Sequence, residues 1–363
     1  MLYHYGPLLI ESGRQPGVFG KIVERAIGSG WCGVDLFFVL SGFLITGILH
    51  DTKDCRGYFR TFYARRTLRI FPLYYGVLVV TFLVVPLFGA GSKVPNEIGN
   101  QAWFWLYGVN LLRVLYGSEA CGGLEHFWSL AVEEHFYLFW PLLIFVLSRV
   151  AAMRACVALV IGAFLFRGIG VFLDASMANY MLTPSRIDTM AVGAFLALAV
   201  RGPGGLRPVA DRARVVAAVS GFAIACLLVA HHGLLYCFGV DTQTVGYSLL
   251  GIFFGTAMIA TVGLEGKGWI SRISRGSALG FIGKYSYGIY VYHFSIVPTL
   301  ARTIGLDRNV RSIAPGVAGG LILILVFAVG SVGMAWLSWH VYEKPFLVLK
   351  RFFPYSPAAG RPL

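Results

Sequence analysis

The chain has 363 residues, of which 57% are hydrophobic and only 13% are charged, and its mean hydropathy is +0.72. A soluble domain carries about 25% charged residues, so this composition excludes an ordinary soluble protein and favours one whose solvent is lipid. Lys and Arg outnumber Asp and Glu by 30 to 17, which gives a formal net charge of +13. Taken alone, this excess is also compatible with nucleic-acid binding.

Apolar stretches recur along the whole sequence, each close to the ~20 residues that a helix needs to cross the ~30 Å hydrocarbon core. They lie at 33–49, 71–90, 126–148, 152–173, 184–200, 214–232, 243–264, 278–300 and 313–340. Residues 1–10 are apolar but too short to span, and the aromatic segment 102–116 favours an interfacial or re-entrant piece. We predict an all-α polytopic helical bundle of about ten transmembrane helices, the first of them truncated, in a single domain over 1–363.

The basic residues are distributed unevenly. They collect in alternate loops between the apolar stretches, which is the positive-inside pattern of a membrane protein and argues against a nucleic-acid partner. We therefore predict a multi-pass protein of the plasma (inner) membrane with a cytoplasmic C-terminus. The loops around 11–30, 91–125, 174–185 and 301–312 then face outward. The basic residues assigned to the cytoplasm are Lys53, Arg56, Arg60, Arg65, Arg66, Arg69, Arg149, Arg154, Arg201, Arg207, Arg212, Arg214, Lys267, Arg272, Arg275, Lys284, Lys344, Lys350, Arg351 and Arg361.

The start of the chain places His4 within the predicted membrane thickness. An intramembrane His is rare and usually functional. A lone His is also often structural, and this residue alone leaves both interpretations open. The next apolar stretch contains Asp35 and Ser41. The small Ser41-Gly42 pair allows close helix packing, while an acid near the outer interface is placed to orient a His.

Arg66 and Arg69 lie one helical turn apart, at the predicted cytoplasmic mouth of a span. Two guanidinium groups on one helix face suit bidentate recognition of phosphate. The alternative is that they anchor the helix to anionic lipid headgroups.

Residues 126–141 place two carboxylates, Glu133 and Glu134, inside an apolar segment. An ionisable group at this depth costs at least ~2.5–3.5 kcal/mol on insertion scales, so it usually marks a functional site that faces a cavity. On a helix, Ser129, Glu133 and Tyr137 share one face, whereas Glu134 is turned about 100° away. The alternative is a structural Glu paired with an Arg from a neighbouring helix.

The segment 283–293 is rich in Tyr, includes Tyr287 and ends in a second intramembrane histidine, His293. The histidines around the two acids do not have the His-Glu-x-x-His spacing of a zinc site. We therefore predict no metal site.

These segments together closely resemble the acyltransferase 3 family of integral membrane acyltransferases, in order and spacing through essentially the whole chain. The matching motifs are GVDLFFVLSGFLI at 33–45, RRTLRIFPLY at 65–74, FWSLAVEEHFYLFWP at 127–141, YSYGIYVYH at 285–293 and YEKPF at 342–346. The third motif is the most specific. The resemblance implies an acyl donor such as acetyl-CoA on the cytoplasmic side and transfer to an extracytoplasmic acceptor that is commonly a sugar hydroxyl.

Carried over by position, the resemblance implies that His4 is the general base, that Arg66 and Arg69 hold the CoA donor, and that Glu133 is the acid of the Trp-Ser-Leu motif. Residues expected to line or support the cavity are Ser41, Trp128, Ser129, Tyr137, Tyr287 and His293. The family also has an Arg ahead of its His, and this sequence starts too late to include it. We expect either a misassigned start codon or the loss of a catalytic part, and no C-terminal periplasmic domain.

These assignments predict a mechanism without a bound cofactor. Neutral His4, oriented by Asp35 or Glu133, removes the acceptor's proton as its hydroxyl attacks the thioester carbonyl. We expect direct transfer within one cavity, with acyl-CoA, a sugar or exported glycan, and the lipid bilayer as partners. The rival classes are a transporter or flippase, which usually shows inverted internal repeats that these halves lack, and an inactive scaffold, which the missing Arg favours.

Overall fold

The computed structural model describes residues 2–6, 8, 25–87, 98–264, 272–273, 275–294, 296–314 and 317–356. These residues form helices and turns and contain no strand, and one isolated bridge pairs Arg56 with Ser356. The predicted basic residues Lys267 and Arg361 and the predicted outer segment 91–97 lie outside the described residues.

The α-helices of four or more residues that lie wholly within the described chain are numbered in sequence order. They are α1 Leu2–Tyr5, α2 Gly33–Asp51, α3 Tyr58–Val79, α4 Ile98–Trp105, α5 Val109–Tyr116, α6 Trp128–Val146, α7 Arg149–Phe172, α8 Ser176–Met181, α9 Thr183–Ala199, α10 Leu206–Ala230, α11 Tyr247–Val262, α12 Ser277–His293, α13 Ile296–Thr303, α14 Leu306–Ile313, α15 Val317–Ser338 and α16 Lys344–Val348. Wider π-helical turns continue three of these helices, at Val80–Val84 after α3, Thr242–Gly246 before α11 and Trp339–Glu343 between α15 and α16.

The long helices make this an all-α polytopic membrane protein, as predicted. Seven segments of the described chain are long and apolar enough to cross a membrane. They are Arg25–Asp51, Tyr58–Leu87, Glu125–Val146, Arg149–Phe172, Leu206–Ala230, Thr242–Val262 and Ala318–Phe352. Two further predicted stretches coincide with α9 and α12, which have 17 residues each. The predicted short first segment contains α1, a helix of four residues.

The aromatic segment at 102–116 does not cross the bundle. It forms α4 and α5, each of eight residues, and a helix of that length rises only about 12 Å. Two tyrosines of α3 attach it: the Tyr74 hydroxyl donates to the Phe104 carbonyl at 2.7 Å, and the Tyr75 hydroxyl donates to the Trp105 carbonyl at 3.1 Å.

The outward faces of the spans are apolar. Leu44, Phe139, Val219 and Phe222 are 56%, 68%, 65% and 72% exposed, respectively. A soluble monomer avoids a surface of this kind, whereas a bilayer is a good solvent for it. The interior differs from these outward faces in its polar residues. Buried Asp, Glu, Arg and His side chains lie between the helices.

Close helix packing brings α2 against α9. A Cβ on Gly42 of α2 would overlap the Met190 carbonyl, and one on Gly193 of α9 would overlap the Val39 carbonyl. The small residues at this crossing let the two backbones touch, as in many membrane helix pairs. The close packing predicted at the Ser41-Gly42 pair is therefore found, and it takes the form of the α2–α9 crossing. This crossing fixes the depth of Ser41 in the bundle.

Two ion pairs join α9 to its neighbours. Arg186 Nη2 of α9 donates to Asp35 Oδ1 of α2 at 2.7 Å, and Arg167 Nη1 of α7 lies 2.9 Å from Asp188 Oδ2 of α9. All four side chains have 0% exposure. Ser248 of α11 accepts from Arg167 Nη2 at 2.6 Å and donates to Asp188 Oδ2 at 2.7 Å. These contacts hold α2, α7, α9 and α11 together.

Replacing Arg186 with Met should destabilise the protein by about 3–5 kcal/mol, because Asp35 would be left as a buried charge without its partner. The matched control is Arg201→Met, which breaks the Arg201–Asp51 pair, whose side chains are 27% and 52% exposed. An exposed pair contributes about 0–1 kcal/mol. Unfolding in detergent measures both losses, and equal losses would contradict the assigned role of the buried pair.

Candidate active site

A row of polar residues follows one face of α6 and the turn before it. His126 lies in the 3-10 turn Glu125–Phe127, and Ser129, Glu133 and Tyr137 follow at intervals of three or four residues. Residues at this spacing stack along one side of a helix. The row starts at the end of the bundle where α6 begins. It runs towards the opposite end, where α3 and α7 begin, and we call this opposite end the basic end.

Glu133 is at the centre of this row. Its Oε1 accepts hydrogen bonds from the Ser41 hydroxyl at 2.7 Å and from the Tyr137 hydroxyl, and the two hydroxyl oxygens are themselves 2.7 Å apart. Glu133 is only 5% exposed. Among the described residues it has hydroxyl partners and no ion pair, and it interacts electrostatically with Arg66 of α3 from beyond ion-pair distance. The predicted sharing of one face by Ser129, Glu133 and Tyr137 is confirmed.

Two arginines lie below Glu133, towards the basic end. Arg66 Cζ is 5.0 Å from the centre of the Tyr137 ring, and Arg69 Cζ is 4.9 Å from the centre of the Trp339 ring. Both arginines are half-buried, and neither forms an ion pair within the described part of the chain. Two guanidinium groups that are held against aromatic rings and have no ion-pair partner are suited to bind an anion.

Three histidines cluster at the other end of the row. The ring centres of His4 and His293 are 5.2 Å apart, and those of His126 and His293 are 5.6 Å apart. His293 Nδ1 lies 2.7 Å from the Tyr290 carbonyl. A carbonyl only accepts, so Nδ1 carries the proton and Nε2 is left as an acceptor. The Tyr5 hydroxyl donates to the His293 carbonyl at 2.5 Å, which fixes α1 beside α12.

Tyrosines of α12 connect this histidine cluster to α6 and α3. The Tyr290 hydroxyl lies 2.9 Å from Ser129 Oγ and donates to the His126 carbonyl. The Tyr287 hydroxyl donates to the Ile70 carbonyl at 2.8 Å. Tyr287 therefore supports the helix that carries the two arginines, whereas Trp128 packs in the core against Phe38 and Tyr180.

A cavity of about 1950 Å³ reaches His4. Its wall includes Leu73 of α3, Glu125 before α6, Tyr292 of α12 and Ser338 of α15. The Glu125 carboxylate is paired with Arg113 at 3.2 Å. Of the three clustered histidines, only His4 is part of the cavity wall. His293 and His126 are not in that wall.

The acids predicted to orient His4 have other partners in the structure. Asp35 was expected to orient this histidine, and it is instead the buried partner of Arg186. The rings that contact His4 are Tyr3, His293 and Phe294. Glu133, the other predicted orienting acid, contacts Ser41 and Tyr137. Among the described residues, His293 is therefore the histidine whose ring contacts that of His4.

Sequence reasoning missed His126 and Tyr290 as members of this site. His126 is 3% exposed, and neither of its ring nitrogens has a hydrogen-bond partner among the described residues. The spacing of His126 to Ser129 and Glu133 continues the polar face that was recognised from Ser129 onwards, so the same periodicity contains the signal. No such pattern marks Tyr290, because its partners lie on another helix. No group of three His, Cys, Asp or Glu side chains in the described ranges, the three histidines included, has an arrangement that could hold a metal ion.

Glu134 lies on a different side of α6, as predicted. Its charged neighbours are Glu133 and Arg66, and it also interacts electrostatically with Tyr74, Tyr107 and Tyr287. Its Oε1 has no hydrogen-bond partner among the described residues. The two adjacent carboxylates therefore differ in their hydrogen bonds, although both interact with Arg66.

Buried acids, histidines and arginines between the helices of a polytopic bundle are typical of a membrane protein with a reaction or transport site. A family model for an acyltransferase domain, acyltransferase 3, matches residues 1–343. The chain belongs to this acyltransferase family.

Two relatives illustrate the similarity. The peptidoglycan O-acetyltransferase OatA of Listeria monocytogenes is 31% identical over 289 residues, covering 74% of this chain and 45% of that protein. The "Putative peptidoglycan O-acetyltransferase YrhL" of Bacillus subtilis is 27% identical over 343 residues, covering 87% of this chain and 50% of that protein. The chain thus spans about half the length of the curated relatives it matches. No solved structure matches it.

The different hydrogen bonds of the two carboxylates lead to a prediction for the acyl-transfer reaction of the family. Glu133→Gln should lower the turnover rate by ~10²–10⁴-fold, the range of an acid–base group, because the acceptor of the Ser41 and Tyr137 hydroxyls is changed. Glu134→Gln is the matched control and should keep the rate within about threefold of the unmodified protein. A transferase assay at saturating donor measures both, and equal losses would contradict the assignment.

Proposed function

We propose that the protein is a membrane O-acetyltransferase, which moves an acetyl group from a cytoplasmic CoA thioester to a hydroxyl of a sugar or exported glycan. The observation that carries the proposal is the row from Arg66 through Tyr137, Glu133 and Ser129 to the histidine cluster. It supplies an anion site at the basic end and a base at the other end. The positive-inside bias supports placing the basic end, and with it the C-terminus, in the cytoplasm.

The donor end is formed by Arg66 and Arg69. A guanidinium fork binds phosphate oxygens through two parallel hydrogen bonds, and a CoA thioester carries a diphosphate and a 3′-phosphate. From Tyr137 to His126 there are eleven helical positions, a rise of about 16 Å. The extended acyl-bearing arm of the donor would cover this distance along Glu133 and Ser41.

His4 is the proposed base. A neutral imidazole at the cavity wall accepts the proton of the acceptor hydroxyl while the acceptor oxygen bonds to the thioester carbonyl carbon. The carbon–sulfur bond then breaks, and the proton taken by His4 balances the release of CoA as a thiol. His293, with its Nδ1 proton committed to the Tyr290 carbonyl, presents Nε2 towards the cluster and supports the position of the His4 ring.

The acceptor class rests on the relatives. OatA is named for peptidoglycan, a glycan outside the cytoplasm, and the cavity beside His4 has room for a sugar. We propose a glycan hydroxyl as the acceptor on this basis.

The test is a reconstituted transfer assay with the full chain in proteoliposomes. Acetyl-CoA labelled in the acetyl group is supplied on the side of the basic end, and a glycan acceptor is supplied on the other. Label that becomes covalently bound to the glycan is the expected result. Label that crosses the membrane without joining the glycan would contradict this proposal and favour the transporter class. If label is neither transferred nor transported, the result would favour the inactive scaffold.

Replacing His4 with Ala should lower the turnover rate by ~10²–10⁴-fold, the usual contribution of a general base. His231→Ala is a suitable control, because that imidazole is 42% exposed and pairs with Asp241 away from the cavity. The measurement is the rate at saturating donor together with the unfolding temperature. A His4 variant with near-normal turnover would remove this residue from the mechanism.

Replacing Arg66 or Arg69 with Lys should raise the KM for acetyl-CoA by about tenfold although the charge is kept, because Lys lacks the planar fork. Arg154→Lys, at an exposed position near the start of α7, controls for the same chemical change elsewhere at the basic end. Initial rates against donor concentration give the KM. Unchanged values in both variants would reduce the two arginines to headgroup anchors.

A further inference from the structure

The last described residues of the chain fold back over the start of α3. The 3-10 turn Leu349–Phe352 follows α16, and the Arg56 amide donates to the Ser356 carbonyl at 3.1 Å. Arg65 Nη1 of α3 donates to the carbonyls of Lys350 at 3.2 Å and Phe353 at 3.0 Å. The chain at 349–356, which we call the C-terminal segment, is thus attached to the same helix that carries Arg66 and Arg69.

Aromatic side chains strengthen this attachment. Arg60 Cζ lies 5.6 Å from the centre of the Phe353 ring, and Arg65 Cζ lies 5.4 Å from that of Tyr355. Cation–π contacts of this kind contribute about 0.5–1 kcal/mol at exposed sites. The C-terminal segment is therefore held in register on α3.

This register brings a further cation to the arginine pair. Lys350 is half-buried and interacts electrostatically with Arg65, Arg66 and Arg69. Neither Lys350 nor the two binding arginines form an ion pair with a described carboxylate. Glu343, the acid that interacts with Arg69, accepts a hydrogen bond from Ser338 Oγ at 3.1 Å instead.

Like charges gathered in a partly desolvated position repel one another, and a bound anion removes that cost. Arg65 has an evident task, since it holds two carbonyl groups. Arg66, Arg69 and Lys350 form no ion pair with a described carboxylate, and the acids that act electrostatically on the two arginines, Glu133, Glu134 and Glu343, do so from beyond ion-pair distance.

We propose that Lys350 is a third phosphate-binding cation of the donor site and that Arg65 positions it. This inference rests on the proposed CoA donor. A CoA thioester presents a diphosphate and a separate phosphomonoester, more anionic oxygens than two guanidinium forks neutralise. A compact ammonium group serves as a point charge beside the forks.

The same part of the chain supplies an aromatic wall. The centre of the Trp339 ring lies 4.9 Å from Arg69 Cζ and 5.4 Å from Lys284 Nζ of α12. The stretch from Trp339 to the C-terminal segment thus borders the anion site. In this proposal, donor binding involves the C-terminal segment as well as Arg66 and Arg69.

The test measures CoA binding by calorimetry, using the full chain in nanodiscs of zwitterionic lipid. Lys350→Gln should weaken CoA binding by about tenfold and raise the KM for acetyl-CoA with kcat unchanged, as expected for a lost charge-assisted hydrogen bond. Arg351→Gln is the matched control, because this neighbouring guanidinium lies over the Phe352 ring at 4.8 Å. The control should bind CoA like the unmodified protein.

A double-mutant cycle tests the positioning role of Arg65. Arg65→Gln should weaken CoA binding, and Arg65→Gln combined with Lys350→Gln should bind CoA about as well as Lys350→Gln alone, because both changes remove the same contact. Additive losses would overturn the positioning role.

Three outcomes would count against the inference, and they separate it from the proposed function. If Lys350→Gln binds CoA normally while Arg66→Gln does not, the lysine is outside a genuine donor site. If the unmodified protein fails to bind CoA, the proposed donor is wrong and the inference fails with it. If Lys350→Gln changes only the unfolding temperature in nanodiscs containing phosphatidylglycerol, the lysine binds anionic headgroups.

Discussion

The two ion pairs on α9 fix the half of the bundle on which the rest of the structure is built. Asp35, Arg167, Arg186 and Asp188 have no access to water, so each charge depends on its partner on a neighbouring helix. An uncompensated charge in such surroundings costs several kcal/mol, which leaves the participating helices few alternative arrangements. The close α2–α9 crossing at Gly42 is compatible with only a narrow range of packing, and it presents Ser41 to α6 at a set depth.

The other half of the bundle is held by different chemistry. There, tyrosine hydroxyls of one helix donate to backbone carbonyls of another: Tyr287 to Ile70, Tyr342 to Pro72 and Tyr63 to Leu138. Such bonds are neutral and contribute about 1 kcal/mol each. The candidate active site lies where the two halves meet, since Glu133 takes one hydroxyl from α2 and another from its own helix. A half held by buried charges and a half held by neutral tyrosine bonds are a suitable pair for the proposed site, which would admit a long donor and a separate acceptor.

Local sequence patterns predicted the parts of this arrangement that depend on neighbours along one helix. The nine long apolar stretches coincide with helices, and the face shared by Ser129, Glu133 and Tyr137 follows from helical periodicity alone. Contacts between distant segments were not accessible in that way. The partner of Asp35 is 151 positions away, and Tyr290 reaches the His126 carbonyl over 164 positions. From the sequence, Lys350 was assigned only to the positive-inside bias. No residue near it in the sequence indicates that Arg65 holds the C-terminal segment on α3.

The π-helical turn Trp339–Glu343 has a consequence for the helix that follows it. A turn of this type contains one residue more than an α-helical turn, and that residue rotates everything beyond it by about 100°. The extra residue therefore sets the angular phase of α16 and the C-terminal segment relative to α15. In an uninterrupted α-helix, the side of the chain that now meets α3 would point elsewhere around the axis. The length of this one turn, together with the contacts that Arg65 makes, thus determines whether the C-terminal segment faces the arginines.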